Sequence, residues 1–270
     1  MLLETRDIKN EFYFLNGYEK KISFLKDKYK GKNCFILAPG PSLKNLKIEE
    51  MKKELKESLV FCVKGTYLEY SNFCDFHFLN DCNLPSGNGY IGFKYDTGSD
   101  PIIVASSGFD EPTARERFGS TQRWDIFCTV LDPAVYPGQH RGYVLENLKF
   151  EEGTFENTYL RPCGPSLIIE TVFYMAVHLG VKNIFTVGVD GGTPPKGVVT
   201  STDKNLHIDT RPKNQQELDF KNWEIDITRE GTGPLYDWLQ QRGINLFIVG
   251  DTSIWNSKIP RISFDEGVNI

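Results

Sequence analysis

The chain is poor in the residues that build dedicated metal and redox sites. It has four histidines in 270 residues, widely spaced and without an H-E-x-x-H string, which argues against a purpose-built zinc site. Its six cysteines, at 34, 62, 74, 82, 128 and 163, include no C-x-x-C pair and read as reduced thiols rather than a disulfide framework. No apolar run reaches the length of a membrane span, and the opening M-L-L-E-T-R-D lacks the apolar h-region of a signal peptide. Positive charge is also short. Thirty-one Lys and Arg against 36 Asp and Glu leave a net charge of -5, which argues against non-specific nucleic-acid binding. The phosphate-cradling string G-x-x-x-x-G-K-[ST] is missing too. The default reading is a cytoplasmic chain with no nucleic-acid partner and no transmembrane segment.

The apolar residues are arranged as an α/β pattern. Residues 1–32 read as an N-terminal helical extension, with apolar positions 12, 14, 15, 18, 22, 24 and 25 at roughly helical spacing. These helices either pack on a sheet or supply a homo-oligomer contact. The basic run Lys26 to Lys32 can meet an anionic ligand or the inner face of a membrane as a peripheral contact, a solvated face being the simpler reading. Residues 33–270 read as one Rossmann-like domain with a mostly parallel sheet, helices on both faces and a lid-like insertion. Its strands are expected at Cys34–Ala38, Leu59–Val63, Phe76–Leu79, Pro101–Ala105, Trp124–Val130, Ile184–Val189 and, last, Gly243–Val249. A charged helix is expected over Leu46–Leu59, a thoroughly apolar and therefore buried one over Leu167–Leu179, stopped by Gly180, and a final one over Pro234–Arg242. Irregular insertions fall near 85–160 and 193–231, where a lid or small subdomain fits.

Three of the apolar strands end on small or polar residues, and in an open parallel sheet such ends share one edge, where ligands bind. Pro39-Gly40-Pro41-Ser42, Lys64-Gly65-Thr66 and Asn80-Asp81-Cys82-Asn83 are therefore expected to converge. In the first of these, Gly40, Pro41 and Ser42 form a turn at a helix start that can hold phosphate or ribose through backbone N–H groups. Its two prolines remove two donors, so it is not an ATPase-type cradle. A related string, Gly164-Pro165-Ser166-Leu167, opens the buried helix and reuses the same turn chemistry. Lys64 can neutralise a phosphate, and Asn80, Asp81 and Asn83 can contact a base or sugar or form Asx turns.

Asp190 follows the most apolar strand and can hold a ribose hydroxyl, a metal or an acceptor. His207, with Asp209 and Arg211 nearby, can act as a base. Glu224 and Asp226 would share one face if W-E-I-D is extended, and could then supply a general base. His77 and His178 read as satisfied core histidines.

The strand and G-P-S-L opening at 34–43, with the helix-to-G-V-D string at Ser166–Asp190, resembles the bacterial sialyltransferases of the Campylobacter lipooligosaccharide type. It also resembles the related proteins grouped with an archaeal hydroxymethylpterin pyrophosphokinase. The first resemblance implies a glycosyltransferase of cell-surface polysaccharide biosynthesis, using a CMP-activated sugar donor and a glycan acceptor, with no metal cofactor required. It places Gly40, Pro41 and Ser42 beside the donor's phosphate and ribose, Asn80 or Asn83 toward cytidine, Pro165 and Ser166 against the donor, and Asp190 at its strand end. Two departures stand out. The family's histidine base precedes the last helix, where this chain reads W-E-I-D-I-T-R-E-G-T-G-P-L with no histidine, and Lys64 replaces an asparagine. Asp226 or Glu224 then takes the base role, or His207 reaches in from the lid, or the chemistry differs. The second resemblance implies an Mg-dependent diphosphokinase acting on a pterin-like molecule, with Asp81, Asp190 and Asp226 on the metal. A non-catalytic nucleotide-binding protein is the third reading.

Overall fold

Runs such as Leu59-Val-Phe-Cys-Val63 and Phe76-His-Phe-Leu79 have no polar side to turn to water, so their strands must be covered on both faces. The computed structural model describes residues 2–40, 42–43, 55–79, 101–118, 123–130, 150–157, 160–161, 168–189, 214–250 and 255–263. Within them every strand pairing is parallel. The sheet has nine strands: β1 (Asn33–Leu37), β2 (Leu59–Val63), β3 (Phe76–Leu79), β4 (Ile102–Ser107), β5 (Ile126–Val130), β6 (Leu160–Arg161), β7 (Asn183–Val187), β8 (Asn245–Val249) and β9 (Arg261–Ile262). Their spatial order is β6-β5-β4-β3-β2-β1-β7-β8-β9. The α/β class with a parallel sheet and helices around it therefore holds.

The sheet separates two apolar layers. On one face Cys34, Ile36, Phe61, Phe76, Phe78 and Ile184 pack with Phe12, Ile22 and Leu25 from helices α1 (Leu2–Tyr13) and α2 (Tyr18–Leu25). On the other, Phe35, Leu37, Val60, Ile103 and Phe185 pack with Leu43, Leu55, Tyr67 and Tyr70, the last two from the one-turn helix α3 (Tyr67–Tyr70). Helix α4 (Glu111–Phe118) follows β4. The buried helix expected before β7 is present as a π-helical turn, Ile168–Val172, running into α5, Phe173–His178. Gly180, at φ 76°, ends it in the left-handed region that favours glycine. His178 Nε2 bonds the Ile22 carbonyl at 2.7 Å, as a core histidine should.

Three elements differ from expectation. The last helix, α6, runs over Gln215–Gln241, so much of the stretch read as a polar excursion is helical. Pro234 lies inside it and gives the Glu230 carbonyl no N–H partner. The loosened turn is tied down from outside. The Arg229 carbonyl accepts from Thr232 Oγ1 at 3.1 Å and Asn256 Nδ2 at 3.3 Å, while Asn256 N–H donates to Thr232 Oγ1 at 3.0 Å. Gly243–Val249 is not the last strand either, because Arg261–Ile262 adds β9 beside it. Strands β6 and β9 are two residues each, too short to carry a period.

The N-terminal rim of the sheet is held by a side-chain ladder. Asn33, Asn183 and Asn245 stand in register on β1, β7 and β8. Asn183 Nδ2 donates to Asn33 Oδ1 and Asn245 Nδ2 to Asn183 Oδ1, each at 2.8 Å. Two residues on, and so on the same face, Phe35, Phe185 and Phe247 stack with centroid separations of 5.0 and 5.3 Å. Asn183→Ala should cost about 1 kcal/mol, since Asn33 and Asn245 are partly exposed and water can replace the lost partner. A urea midpoint equal to wild type would show the ladder to be idle.

Candidate functional site at the C-terminal rim

The chain lays down β1 to β6 in one direction, then returns to place β7 on the other side of β1. The order of the sheet therefore reverses between β1 and β7. In an open parallel sheet this switch point leaves a crevice outside the strands' carboxyl ends, because the connections on its two sides go to opposite faces. Pro39, Gly40 and Ser42 follow β1 there, and Gly188 and Val189 follow β7.

The two strand ends are locked together by backbone. Ala38 N–H donates to the Val187 carbonyl and Gly40 N–H to the Gly188 carbonyl, both at 2.8 Å. Gly188 has φ 74°, and a Cβ built on it would lie 2.0 Å from the Ala38 oxygen and 3.2 Å from Gly40 N. Only glycine fits this approach. Ser42 sits in a short 3-10 turn and is 7% exposed.

Next along the rim, β2 ends in a tight 3-10 turn, Lys64–Thr66. Thr66 Oγ1 lies 3.0 Å from both the Leu37 and Val63 carbonyls, tying the ends of β1 and β2. Lys64 has φ 54°, a left-handed conformation that a side-chain-bearing residue takes at a cost of order 1–3 kcal/mol. Its carbonyl is held by His77 Nε2 at 2.8 Å. A carbonyl only accepts, so Nε2 carries the proton in the neutral ring. Burial pushes the His77 pKa down to about 3, the bond to Lys64 opposing this only in part. The ring stacks on Tyr67 with centroids 4.7 Å apart. His77 is thus a core residue, as its place inside a buried strand implied, and it also braces the turn that presents Lys64.

The end of β4 belongs to the same rim. Ser106 and Ser107 are buried; Ser106 Oγ reaches the Leu79 carbonyl at 3.4 Å, and Ser107 Oγ accepts the Phe109 N–H at 3.1 Å. Sequence reading ended this strand at Ala105 and missed them. The signal was there: S-S-G directly after an apolar run is the same small, polar strand ending found after β1 and β2.

Of the other residues singled out, Pro41, Asn80, Asp81, Asn83, Gly164, Pro165, Ser166, Asp190 and His207 lie outside the described residues. In the sequence Asp190 directly follows Val189, and Asn80 directly follows Leu79. The proposed sharing of a face by Glu224 and Asp226 fails, because W-E-I-D lies within α6. Two residues of helix turn by about 200°, which sends the pair to opposite sides. Asp226 is exposed and pairs with Arg229 at 2.9 Å. At 1.5 Å per residue α6 is about 40 Å long, against about 17 Å for a five-residue strand. It meets β8 at the N-terminal rim through Gly243, so its N-terminal half extends toward the C-terminal rim. Among the described residues no group of three His, Cys, Asp or Glu side chains could hold a metal ion. Cys34 and Cys74 are buried, and burial raises both thiol pKa values well above normal, which suits packing rather than nucleophilic chemistry.

No family model matches the chain, and no curated protein does. Among solved structures it is similar to the MAf glycosyltransferase of Magnetospirillum magneticum AMB-1, with 14% identity and a TM-score of 0.44. That alignment covers 88% of this chain and 34% of the other, so the chain spans about a third of that relative's length. It is also similar to the sialyltransferase CstII of Campylobacter jejuni, solved with a substrate analogue, cytidine-5'-monophosphate. Here identity is 18% and the TM-score 0.35, over 85% of this chain and 88% of the other.

Proposed function

We propose that the chain is a nucleotide-dependent transferase whose donor sits outside the ends of β1 and β7, and that the group it moves is a sugar from a nucleotide-activated, CMP-type donor to a glycan acceptor. The observation that carries the reading is the switch point itself, with Pro39, Gly40 and Ser42 on one side and Gly188 and Val189 on the other. Thr66 and Ser106 spend their hydroxyls, and His77 its Nε2, on neighbouring backbone. Donor contacts then fall to the Ser42 end of the β1 turn, to Lys64 for phosphate charge, and to Asn80, Asp81 and Asn83 for the base or sugar. Gly164, Pro165 and Ser166 are assigned to the donor as well, on the strength of their G-P-S-L string alone. Asp190 is the base we favour, because it is covalently next to the switch point. Asp226, Glu224 and His207 serve only if their segments fold over it.

A thermal-shift series with CMP, UMP, GDP and ATP, each with and without Mg²⁺, tests this. CMP at hundredfold excess over its Kd should raise Tm by roughly 5 °C or more without metal. A shift confined to ATP with Mg²⁺ would favour diphosphoryl transfer instead. No shift with any nucleotide would end the transferase reading.

A further inference from the structure

We propose that the N-terminal rim of the sheet, at the corner between α1 and α2, docks on an anionic lipid surface. Phe14, in this corner, is 87% exposed, and Tyr13 beside it is 39% exposed. Tyr13 ends α1 and Phe14 follows it, next to the fully buried Phe12, so the corner is pinned to the core while Phe14 stands in solvent. The segment behind it is basic. Residues 13–32 hold six lysines, at 20, 21, 26, 28, 30 and 32, against Glu19 and Asp27, in a chain whose net charge is -5. Positive charge is therefore gathered where the rest of the molecule has a deficit.

Hydrogen bonds to backbone carbonyls place this segment along one edge. Tyr13 Oη and Arg123 both donate to the Pro101 carbonyl, just before β4. Asp27 N–H donates to the His178 carbonyl, Tyr29 N–H to Leu179, Gly31 N–H to Gly180, and Lys182 N–H to Lys32, all just before β1 or β7. Lys20, Lys28, Lys30 and Lys182 are exposed along this path, as are Glu19 and Asp27, while Lys26 pairs with Glu156. One exposed phenylalanine and one half-exposed tyrosine are far short of the roughly 800 Å² per partner that a stable protein interface buries. A bilayer surface needs less: a shallow aromatic anchor and several basic side chains within reach of anionic headgroups. The candidate site, at the opposite rim, would then open away from the lipid.

Sedimentation of the full chain with phosphatidylcholine vesicles, with and without phosphatidylglycerol, tests the proposal. Binding is expected only with the anionic lipid and should fall at high salt. Phe14→Ser should weaken it about tenfold. Lys20→Glu with Lys30→Glu should weaken it by about 25-fold or more, taking each basic side chain as worth about fivefold. All these side chains are exposed, so melting temperatures and any nucleotide-induced shift should match wild type. Failure of the wild-type chain to sediment with anionic vesicles overturns the proposal, and so does binding unchanged in both variants. Self-association in ultracentrifugation that Phe14→Ser abolishes, without lipid binding, would also overturn it and give the surface to a second copy of the chain.

Discussion

Gly188→Ala should destabilise the protein by roughly 2–5 kcal/mol and remove whatever nucleotide affinity the chain has. The left-handed backbone costs an alanine about 1–2 kcal/mol. Overpacking against a rigid neighbour adds about 1–3 kcal/mol, and here the neighbour is the Ala38 backbone oxygen, 2.0 Å from the new carbon. Relief requires the β1 turn to move off β7, which breaks the Gly40–Gly188 hydrogen bond and opens the proposed donor site. Gly243→Ala provides the control. It has the same sign of φ, 71°, but nothing lies within 4 Å of its Cβ, so it should cost only the backbone term. Urea denaturation of both variants separates the two contributions. Equal losses would mean that the close approach of β1 and β7 contributes nothing.

Asp75→Asn should stabilise the protein above pH 6 and leave it unchanged below pH 4. Asp75 Oδ2 accepts the Val60 N–H at 2.9 Å, and burial, only partly offset by Lys9 and this bond, raises its pKa to about 6 from 3.8. The folded state therefore holds a proton the unfolded state has lost, and stability falls as pH rises from about 4 to 6. His77 acts in the opposite sense. Its folded pKa near 3 lies below the ordinary 6.5, so its contribution is full above pH 6.5 and is lost as pH falls. Between pH 4 and 6 the two slopes oppose each other and the profile from this pair is nearly flat. Asparagine keeps an oxygen for Val60 but cannot ionise. The variant should gain on the order of 1–2 kcal/mol at pH 8, discounted for the partial exposure of Asp75. Its remaining slope should approach 1.4 kcal/mol per pH unit between pH 4 and 6. Parallel profiles for variant and wild type, from thermal melts at pH 4, 5, 6 and 8, would contradict this account.

Both predictions rest on features that differ in how visible they are before folding. The strands of the sheet core were legible because burial on both faces leaves short, largely apolar runs with turn residues at each end, as at Leu59–Val63 and Asn183–Val187. The α5 region was legible for the same reason, with Gly180 as its stop. Local signals failed where a contact distant in sequence decided the outcome. Pro234 reads as a helix start, yet Asn256 and Thr232 hold the helix together through it, so α6 begins at Gln215 and Glu224 and Asp226 part company. The asparagine ladder depends on register among strands far apart in the chain, and no window along the sequence contains it.

What the sequence determined by itself was the seven longer strands, the parallel α/β class, and the small or polar residues that close the first two of them: Gly40 and Ser42, Lys64 and Thr66. Apolar periodicity and backbone chemistry are local properties, and they are enough for that. Only the tertiary structure decided that β7 lies beside β1, because strand order is settled by which buried faces pack best once all the strands exist. That one adjacency turns two separate glycine turns into the two walls of a single crevice.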